Sequence, residues 1–159
     1  MRIRALAAAD RAWAEPYLDE EWGGALHARR GELVDVLASP GFVAEEGGRR
    51  LGLATFRRDG GDCELAFIAA FERHRGVGTA LLEAVRQAAA GCERLWVVTT
   101  NDNLDALRFY QRRGFRLVDL RPEAVDEARA TLKPAIGGVG EFGIPIRDEL
   151  ELELRLEET

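Results

Sequence analysis

The sequence predicts an α/β protein built around one mixed β-sheet, and three observations carry that prediction. Glycine pairs separate three β-rich segments, residues 42–46, 50–57 and 63–71, in the manner of an antiparallel meander. Apolar residues recur at helical spacing through residues 76–90, which indicates a long helix with one buried face. Polar and apolar residues alternate through residues 149–156, which predicts a last strand with its leucines inward and its glutamates outward.

The remaining elements are predicted in chain order from local start and stop signals. Residues 2–6 alternate as a first strand, and residues 8–22 are predicted to form a helix in which Pro16 marks an interruption or a second start. A second short helix is expected over residues 31–38, where a Ser-Pro-Gly sequence ends it. Beyond the long helix we expect a buried strand at 94–100, a helix at 103–113, a strand at 115–120, a helix at 122–132 and a glycine-rich loop at 134–145.

Composition and charge are typical of a soluble single-domain protein. The length of 159 residues suits one domain over residues 1–159, and 47% hydrophobic residues suffice for a substantial core. The 22 basic and 28 acidic side chains give a net charge of −6, so no nonspecific nucleic-acid or membrane partner is expected. Cys63 and Cys92 are too few for a disulfide framework, and His27 and His74 are isolated, so no metal site is expected. Without a signal-peptide pattern or a long apolar run, the expected location is the cytoplasm.

The densest functional signal lies between the third meander strand and the long helix. Arg73 and Arg75 concentrate positive charge there, and Gly76 and Gly78 allow the backbone to approach a ligand closely. The first N–H groups of a helix lack intrahelical partners and carry partial positive charge, so this turn predicts a pyrophosphate site. It is neither a dinucleotide-binding turn nor a P-loop, because Leu81 replaces the third glycine and no Gly-Lys-Ser/Thr sequence exists. The alternative is a basic, glycine-capped helix start that binds no ligand.

Two motifs in this part of the chain resemble those of the GNAT N-acetyltransferase superfamily. The pattern R-x-x-G-x-G at Arg73, Gly76 and Gly78 is similar to its acyl-CoA-binding signature. A second pattern, N-x-x-A-x-x-F-Y-x-x-x-G-F, follows in the family's order and matches at Asn103, Ala106, Phe109, Tyr110, Gly114 and Phe115. The chain departs from the family at His74, where glycine is frequent, and at Ala70, where proline is frequent. With Trp22 and Gly23, the segment from Lys133 to Glu149 also resembles a recurring feature of a bacterial branch of the superfamily, a resemblance that does not identify the acceptor.

The resemblance implies a GNAT-like fold, in which about seven strands form a mixed, mostly antiparallel sheet with splayed central strands and four or five flanking helices. It also implies acetyl-CoA as co-substrate, with its pantetheine arm paired like an added strand near Ile68 and an N–H there polarising the carbonyl. The residues that the resemblance assigns to acetyl-CoA are Ile68, Arg73, His74, Arg75, Gly76, Val77, Gly78, Thr79, Asn103 and Tyr110.

Two residues are candidates for the proton transfers that acetyl transfer to an amine requires. Glu64 stands alone at the head of an apolar strand, on the face of Ala66 and Ile68 by the period of two. A family glutamate at this position is often the general base or the holder of its water. Tyr110 shares a helix face with Asn103, and the resemblance places this tyrosine beside the thioester sulfur, where it would stabilise the thiolate. The alternatives are a solvent-facing glutamate and an ordinary core tyrosine.

The acceptor site is predicted at the first two helices, which border the acceptor cleft in related folds. Glu20, Trp22 and Arg30 are the candidate contacts, and the loop 137–143 is expected to close over them. Acidic groups there would favour a cationic amine, whereas Arg30 and Arg147 would favour a carboxylate. The alternative is a solvated charged surface with a packing tryptophan.

The sequence therefore predicts an N-acetyltransferase that moves an acetyl group from acetyl-CoA to a primary amine of a small molecule or peptide by direct attack on the thioester. The alternative function is a noncatalytic acyl-CoA-binding sensor, which would need neither Glu64 nor Tyr110. A toxin that acetylates charged tRNA is disfavoured by the net charge of −6, because RNA partners favour basic surfaces. The expected partner is the amine acceptor, and a homodimer is allowed.

Overall fold

The computed structural model describes residues 1–72 and 75–156. Nine strands and four α-helices lie within those ranges; in chain order they are β1 (Arg2–Ala5), α1 (Arg11–Glu21), β2 (Leu26–Arg29), β3 (Glu32–Asp35), β4 (Gly41–Glu46), β5 (Arg49–Asp59), β6 (Asp62–Ala70), α2 (Val77–Ala88), β7 (Arg94–Thr100), α3 (Leu104–Arg112), β8 (Arg116–Arg121), α4 (Ala124–Thr131) and β9 (Glu149–Arg155). Single 3₁₀ turns occupy Ala8–Asp10, Val36–Ala38 and Glu141–Gly143. None of the helices within the described ranges is long and apolar enough to cross a membrane.

Seven of the strands form one sheet in the order β1-β4-β5-β6-β7-β9-β8, and β2 pairs with β3 in a separate hairpin. Neighbouring strands are antiparallel throughout the sheet except for β6 and β7, which run parallel. β6 and β7 are paired only from Asp62 opposite Arg94 to Glu64 opposite Trp96, and beyond these residues the two strands diverge. The predicted mixed, mostly antiparallel sheet with splayed central strands is confirmed, with four α-helices around it.

The sheet separates two apolar cores. Helices α2 and α3 cover one face, where Leu81, Val85 and Leu95 are fully buried. Helix α1 covers the other face, where Leu18 and Leu53 are fully buried. The apolar stripe that the sequence predicts for the long helix is the face that α2 packs onto the sheet.

A β-bulge interrupts the alternation of β6. Thr55 of β5 pairs with Phe67 and Phe56 pairs with Leu65, so Ala66 is the extra residue on β6. As a result, Leu65 packs in the α2 core, whereas Phe67, two residues further on, packs in the α1 core. The bulge reverses which residues of β6 face each helical layer.

The bulge also corrects the predicted orientation of Glu64. An unbroken period of two puts Glu64 on the same face as Ile68, but Ile68 packs with Leu65 against the α2 core. Glu64 points to the opposite face, where its carboxylate meets Arg29 of the β2–β3 hairpin. The prediction that Glu64 and Ile68 share a face is therefore wrong, because the bulged residue Ala66 lies between them.

The helix expected over residues 31–38 is also wrong, since β3 and a 3₁₀ turn occupy this segment. Arg29 pairs with Glu32, which leaves Arg30 and Gly31 as the two central residues of a hairpin turn. Both have positive φ angles, 52° and 78°, the backbone of the type I′ turn that joins tightly paired strands. An arginine seldom adopts this conformation, so the turn is not recognisable from its composition.

The last strand keeps its predicted alternation, but its glutamates are not exposed. Leu152 faces the α2 core, while Glu149 and Glu151 on the other face are only 3% and 6% exposed. The guanidinium groups of Arg94 and Arg121, on the strands that flank β9, donate to these carboxylates. The outward glutamates are buried because cross-strand arginines cover them, a pairing that the pattern of one strand cannot show.

Candidate active site

The divergence of β6 and β7 opens a main cavity of about 600 Å³. Its walls include residues 65–70 of β6 and 97–100 of β7, and the predicted pantetheine contact Ile68 lies in this wall. Helix α3 and the start of α2 border the cavity on one side, and the β2–β3 hairpin, α1 and α4 border it on the other. Backbone groups of β6 beyond Glu64 face this gap rather than a neighbouring strand, so an extended ligand chain can pair with them.

Helix α2 begins beside the main cavity. Its N-cap, Gly76, has a φ angle of 73°, a left-handed conformation that favours glycine. The Ala80 N–H donates to the Gly76 carbonyl at 3.0 Å, so the N–H groups of residues 77–79 precede the first hydrogen bond of the helix. These donors and the helix dipole make the turn suitable for an anion. Arg73 and His74, the other predicted contacts of the pyrophosphate, lie outside the described residues.

Three predicted residues at the start of α2 have contacts within the protein. Val77 is 1% exposed and packs in the α2 core, so its side chain is not available to a ligand. The Thr79 hydroxyl accepts hydrogen bonds from Arg113 at 2.7 and 3.2 Å. A β-carbon built on Gly78 would lie 3.0 Å from Cε2 of Phe109. Glycine at position 78 therefore also permits the close packing of α2 against α3.

Arg75 is engaged by two carboxylates. Its guanidinium forms ion pairs with Glu46 of β4 and, at 3.1 Å, with Glu72. The Arg75 guanidinium holds the pKa of Glu46 below its ordinary value. Two of its nitrogens thus donate to carboxylates, and a pyrophosphate would compete with Glu46 and Glu72 for this guanidinium.

The structure brings Tyr110 and Asn103 to the same side of the main cavity. Tyr110 is 5% exposed, and its ring packs against Phe109 and Phe115. Burial raises the pKa of the Tyr110 phenol, so the hydroxyl keeps its proton and remains a hydrogen-bond donor. Within the described ranges no protein group accepts a hydrogen bond from this hydroxyl. Asn103 caps α3, where its Oδ1 accepts the Ala106 N–H at 3.2 Å.

Glu64 does not line the main cavity. Its carboxylate is 2% exposed and forms a two-point ion pair with Arg29, whose Nε donates to Oε2 at 2.6 Å and whose Nη2 donates to Oε1. Arg57 adds a second guanidinium, with its Nε 3.6 Å from Oε1. Glu64 lines a second cavity of about 230 Å³, and Arg29 borders both cavities. The alternative that Glu64 faces solvent is therefore wrong. Its role as the general base stays a prediction, for a carboxylate whose two oxygens both accept hydrogen bonds from Arg29.

The three predicted acceptor contacts lie in different places. Trp22 lines the main cavity at the end of α1, with its ring edge-on to Phe67 at a centroid distance of 5.2 Å. Glu20 is exposed and lies on neither cavity wall. Arg30 lines the second cavity, where its guanidinium lies 4.7 Å from the centroid of the Trp96 ring. The structure therefore brings only Trp22 of these three residues to the main cavity.

The hairpin side of the main cavity ends among aromatic rings. The rings that line this end are Tyr17, Trp22, His27 and Phe67. His27 is edge-on to Phe67, with ring centroids 5.7 Å apart. Burial, with a smaller effect of the nearby Lys133 charge, lowers the pKa of His27 to about 4, so the ring is neutral near pH 7. We call this region the aromatic end of the main cavity.

The glycine-rich loop after α4 runs beside the aromatic end. The cavity-lining residues from this segment are Ile136, Glu141 and Ile146. Asp102 holds the loop through its Oδ2, which accepts the Glu141 N–H at 3.0 Å. Arg129 donates to the carbonyls of residues 136, 137 and 146. The loop expected over the acceptor therefore borders the cavity and is fixed at its base by side-chain hydrogen bonds.

Among the polar side chains that line the main cavity, sequence reasoning does not assign Arg29, His27, Lys133 and Glu149. Arg29 and His27 belong to the β2–β3 hairpin, which the sequence did not predict because a helix was expected over residues 31–38. Glu149 is held by the Arg30 N–H at 3.2 Å and by Arg121 at 3.1 Å, contacts that are remote in the chain. Lys133 has a signal in the composition, because it is the only lysine among 22 basic residues.

Comparisons with known proteins agree with this architecture. The model of the acetyltransferase (GNAT) family matches residues 6–115. YdhI of Bacillus subtilis (strain 168) is 45% identical over 113 residues, which cover 69% of this chain and 70% of YdhI. An IAA acetyltransferase from Bacillus cereus ATCC 14579 has a similar fold, with a TM-score of 0.74 and 21% identity over 98% of this chain and 99% of that chain. A GNAT family acetyltransferase from Elizabethkingia anophelis with acetyl-CoA bound has a TM-score of 0.67 and 19% identity over 98% of this chain and 97% of that chain. The chain therefore belongs to the GNAT acetyltransferase family.

Proposed function

We propose that this protein transfers an acetyl group from acetyl-CoA to a primary amine of a small molecule or peptide. The observation that carries the proposal is the gap between β6 and β7, where the buried Tyr110 hydroxyl, the open edge of β6 and the start of α2 border one cavity. Acetyl-CoA supplies the thioester when bound, and the residues of the chain bind it, orient it and stabilise the charge that develops. A cytoplasmic location and a homodimer remain part of the proposal.

The main cavity fits an extended acyl-CoA arm. Residues 65–70 offer backbone N–H and C=O groups to the amides of the arm, as an added strand would use them. The N–H groups of residues 77–79 face the pyrophosphate in this proposal, with Arg73, His74 and Arg75 as its side-chain partners. An N–H near Ile68 polarises the acyl carbonyl.

The amine and the leaving group are assigned to opposite sides of the gap. Tyr110 reaches the cavity from the α2 and α3 side, whereas the aromatic end lies on the hairpin side. This arrangement suits direct attack, in which the amine adds to the carbonyl carbon, the oxygen takes up the electron pair of the C=O bond, and collapse of the tetrahedral intermediate breaks the bond to sulfur and releases the thiolate. The Tyr110 hydroxyl donates a hydrogen bond to the sulfur and so stabilises the thiolate that leaves.

The attacking amine must first lose a proton. An alkylammonium group has a pKa of about 10.4, so roughly one molecule in 10³ is neutral near pH 7.4. Glu64 is on the hairpin side, but Arg29 separates it from the main cavity and accounts for both of its oxygens. We therefore assign Glu64 the role of holding Arg29 in place and assign removal of the proton to solvent at the cavity mouth.

The test is release of free thiol from acetyl-CoA on mixing with a panel of primary amines, followed by comparison with Tyr110→Phe. This variant keeps the ring and its packing and removes only the hydroxyl. Loss of one charge-assisted hydrogen bond in the transition state should lower kcat by about 10–100-fold and leave acetyl-CoA affinity nearly unchanged.

Two results would count against the proposal. Thermal stabilisation by acetyl-CoA without thiol release from any amine would favour an acyl-CoA sensor. Equal kcat values for the wild type and Tyr110→Phe, with chemistry rate-limiting, would make Tyr110 a packing residue.

A further inference from the structure

One cation on the wall of the main cavity has no counter-ion among the residues that the structure describes. Lys133 follows α4, is half-buried and lines the cavity. Its Nζ donates to the Leu26 carbonyl of β2 at 2.7 Å. No carboxylate in residues 1–72 and 75–156 forms an ion pair with this ammonium, and burial lowers its pKa with no acid to oppose the effect. A charge that is partly removed from water and lacks a counter-ion is favourable for an incoming anion.

The other charged side chains on this cavity wall have partners. Arg29 is paired with Glu64, and Glu149 accepts from Arg121. The remaining acids on the wall, Asp105 and Glu141, also have interactions of their own. Lys133 thus differs from its neighbours in keeping donor capacity, because an ammonium has three N–H groups and the Leu26 carbonyl takes one.

Lys133 is adjacent to the aromatic end. Its charge contributes to the lowered pKa of His27, and its Nζ is 3.8 Å from the point where a β-carbon on Gly23 would lie. Gly23 directly follows Trp22, which lines the aromatic end. A ligand on the hairpin side can therefore contact the aromatic rings and the ammonium together.

The composition indicates that an ammonium, rather than any cation, occupies this place. Every other basic residue among the 22 is an arginine, so Lys133 stands out in a chain that otherwise uses guanidinium groups. An ammonium is a compact point charge, whereas a guanidinium is a planar fork that needs more room.

We propose that Lys133 binds a carboxylate on the acceptor, so that the acceptor is an amine with both an anionic group and an apolar or aromatic body, as in an amino acid. A single ammonium matches a monoanionic carboxylate, and the aromatic end takes the apolar body. This inference rests on the proposed function, because it concerns the acceptor of the same cavity.

The experiment compares ligands that differ only in the carboxylate. N-acetyl-L-phenylalanine and N-acetylphenethylamine are titrated calorimetrically into the protein with CoA present, and L-phenylalanine and phenethylamine are compared as acceptors by thiol release. We expect the carboxylated ligand of the product pair to bind about 10–100-fold more tightly to the wild type. Lys133→Gln should reduce this preference to near one and leave binding of N-acetylphenethylamine unchanged, while Lys133→Arg should keep part of it.

Arg147→Gln is the matched control, because it removes one positive charge from the same region outside the lining of the main cavity. The inference is overturned if the two product ligands bind equally or not at all, or if Arg147→Gln rather than Lys133→Gln removes the preference. Acetylation of Lys133 itself, detected by intact mass in acetyl-CoA alone, would also overturn it, since the residue would then be an acceptor. Failure of these tests in a protein that acetylates phenethylamine leaves the proposed function standing, whereas absence of any acetyl-CoA binding removes the proposed function itself.

Discussion

Replacing Glu64 by glutamine should destabilise the protein strongly, whatever it does to the reaction rate. Glu64 and Arg29 are 2% and 7% exposed and make two charge-assisted hydrogen bonds. In Glu64→Gln the Arg29 guanidinium keeps its charge but loses its counter-ion. The new amide NH₂ then faces one of the guanidinium N–H groups, and two donors cannot form a hydrogen bond with each other. Arg57 makes the loss worse, because it is a second cation, whose Nε lies 3.6 Å from Oε1 in the wild type.

Removing one partner of a buried ion pair typically costs about 3–5 kcal/mol, because the remaining charge is uncompensated. For a domain of this size each kcal/mol lowers Tm by roughly 2–4 °C, so Glu64→Gln should lower Tm by roughly 6–20 °C. The loss is a large part of the roughly 5–15 kcal/mol by which folded domains are stable. Any rate measured for this variant must therefore be taken where the protein is shown to be folded.

The assay is urea denaturation at pH 7.5, analysed at constant m-value. Glu32→Gln is the matched control, because Glu32 is 58% exposed, lies 3.6 Å from Arg57 and should contribute at most about 1 kcal/mol. The double variant Arg29→Met/Glu64→Met should recover much of the loss, since it removes both charges. A Glu64→Gln protein within about 1 kcal/mol of the wild type would refute the buried pair, and a folded double variant with full activity would exclude Glu64 as the base.

Two further perturbations test the packing around the main cavity. Because burial lowers the pKa of His27 from 6.5 to about 4, the unfolded chain takes up a proton below pH 6.5 that the folded protein excludes. Stability should fall by about 3 kcal/mol between pH 6.5 and 4, and urea denaturation of His27→Gln should lack that part of the loss. Gly78→Val should cost about 1–3 kcal/mol by displacing the Phe109 ring, and Phe109→Ala in the same chain should restore part of it. Strictly additive losses for these two substitutions would show that the side chains do not meet.

Local sequence patterns were sufficient to predict two parts of the site, the start of α2 and the face of α3 that borders the main cavity. The spacing of Asn103 and Tyr110 along α3 places both at the cavity, because neighbours on one helix face are set by the helix period. The partner of Glu64 could not be predicted in this way, since Arg29 is 35 residues away and belongs to a different hairpin. Glu149 illustrates the same limit, because its contact with the Arg30 N–H spans 119 residues.

The bulge in β6 has a consequence for how this strand can vary. On either side of Ala66, odd-numbered residues serve different layers: Leu65 belongs to the α2 core and Phe67 to the α1 core. Deleting Ala66 would restore an unbroken alternation and would leave Leu65 and Phe67 on their present layers. Inserting a residue without a further bulge would instead transfer one half of the strand to the opposite layer. The bulge is thus the one place where β6 can lose a residue while both of its halves keep the layers they now face.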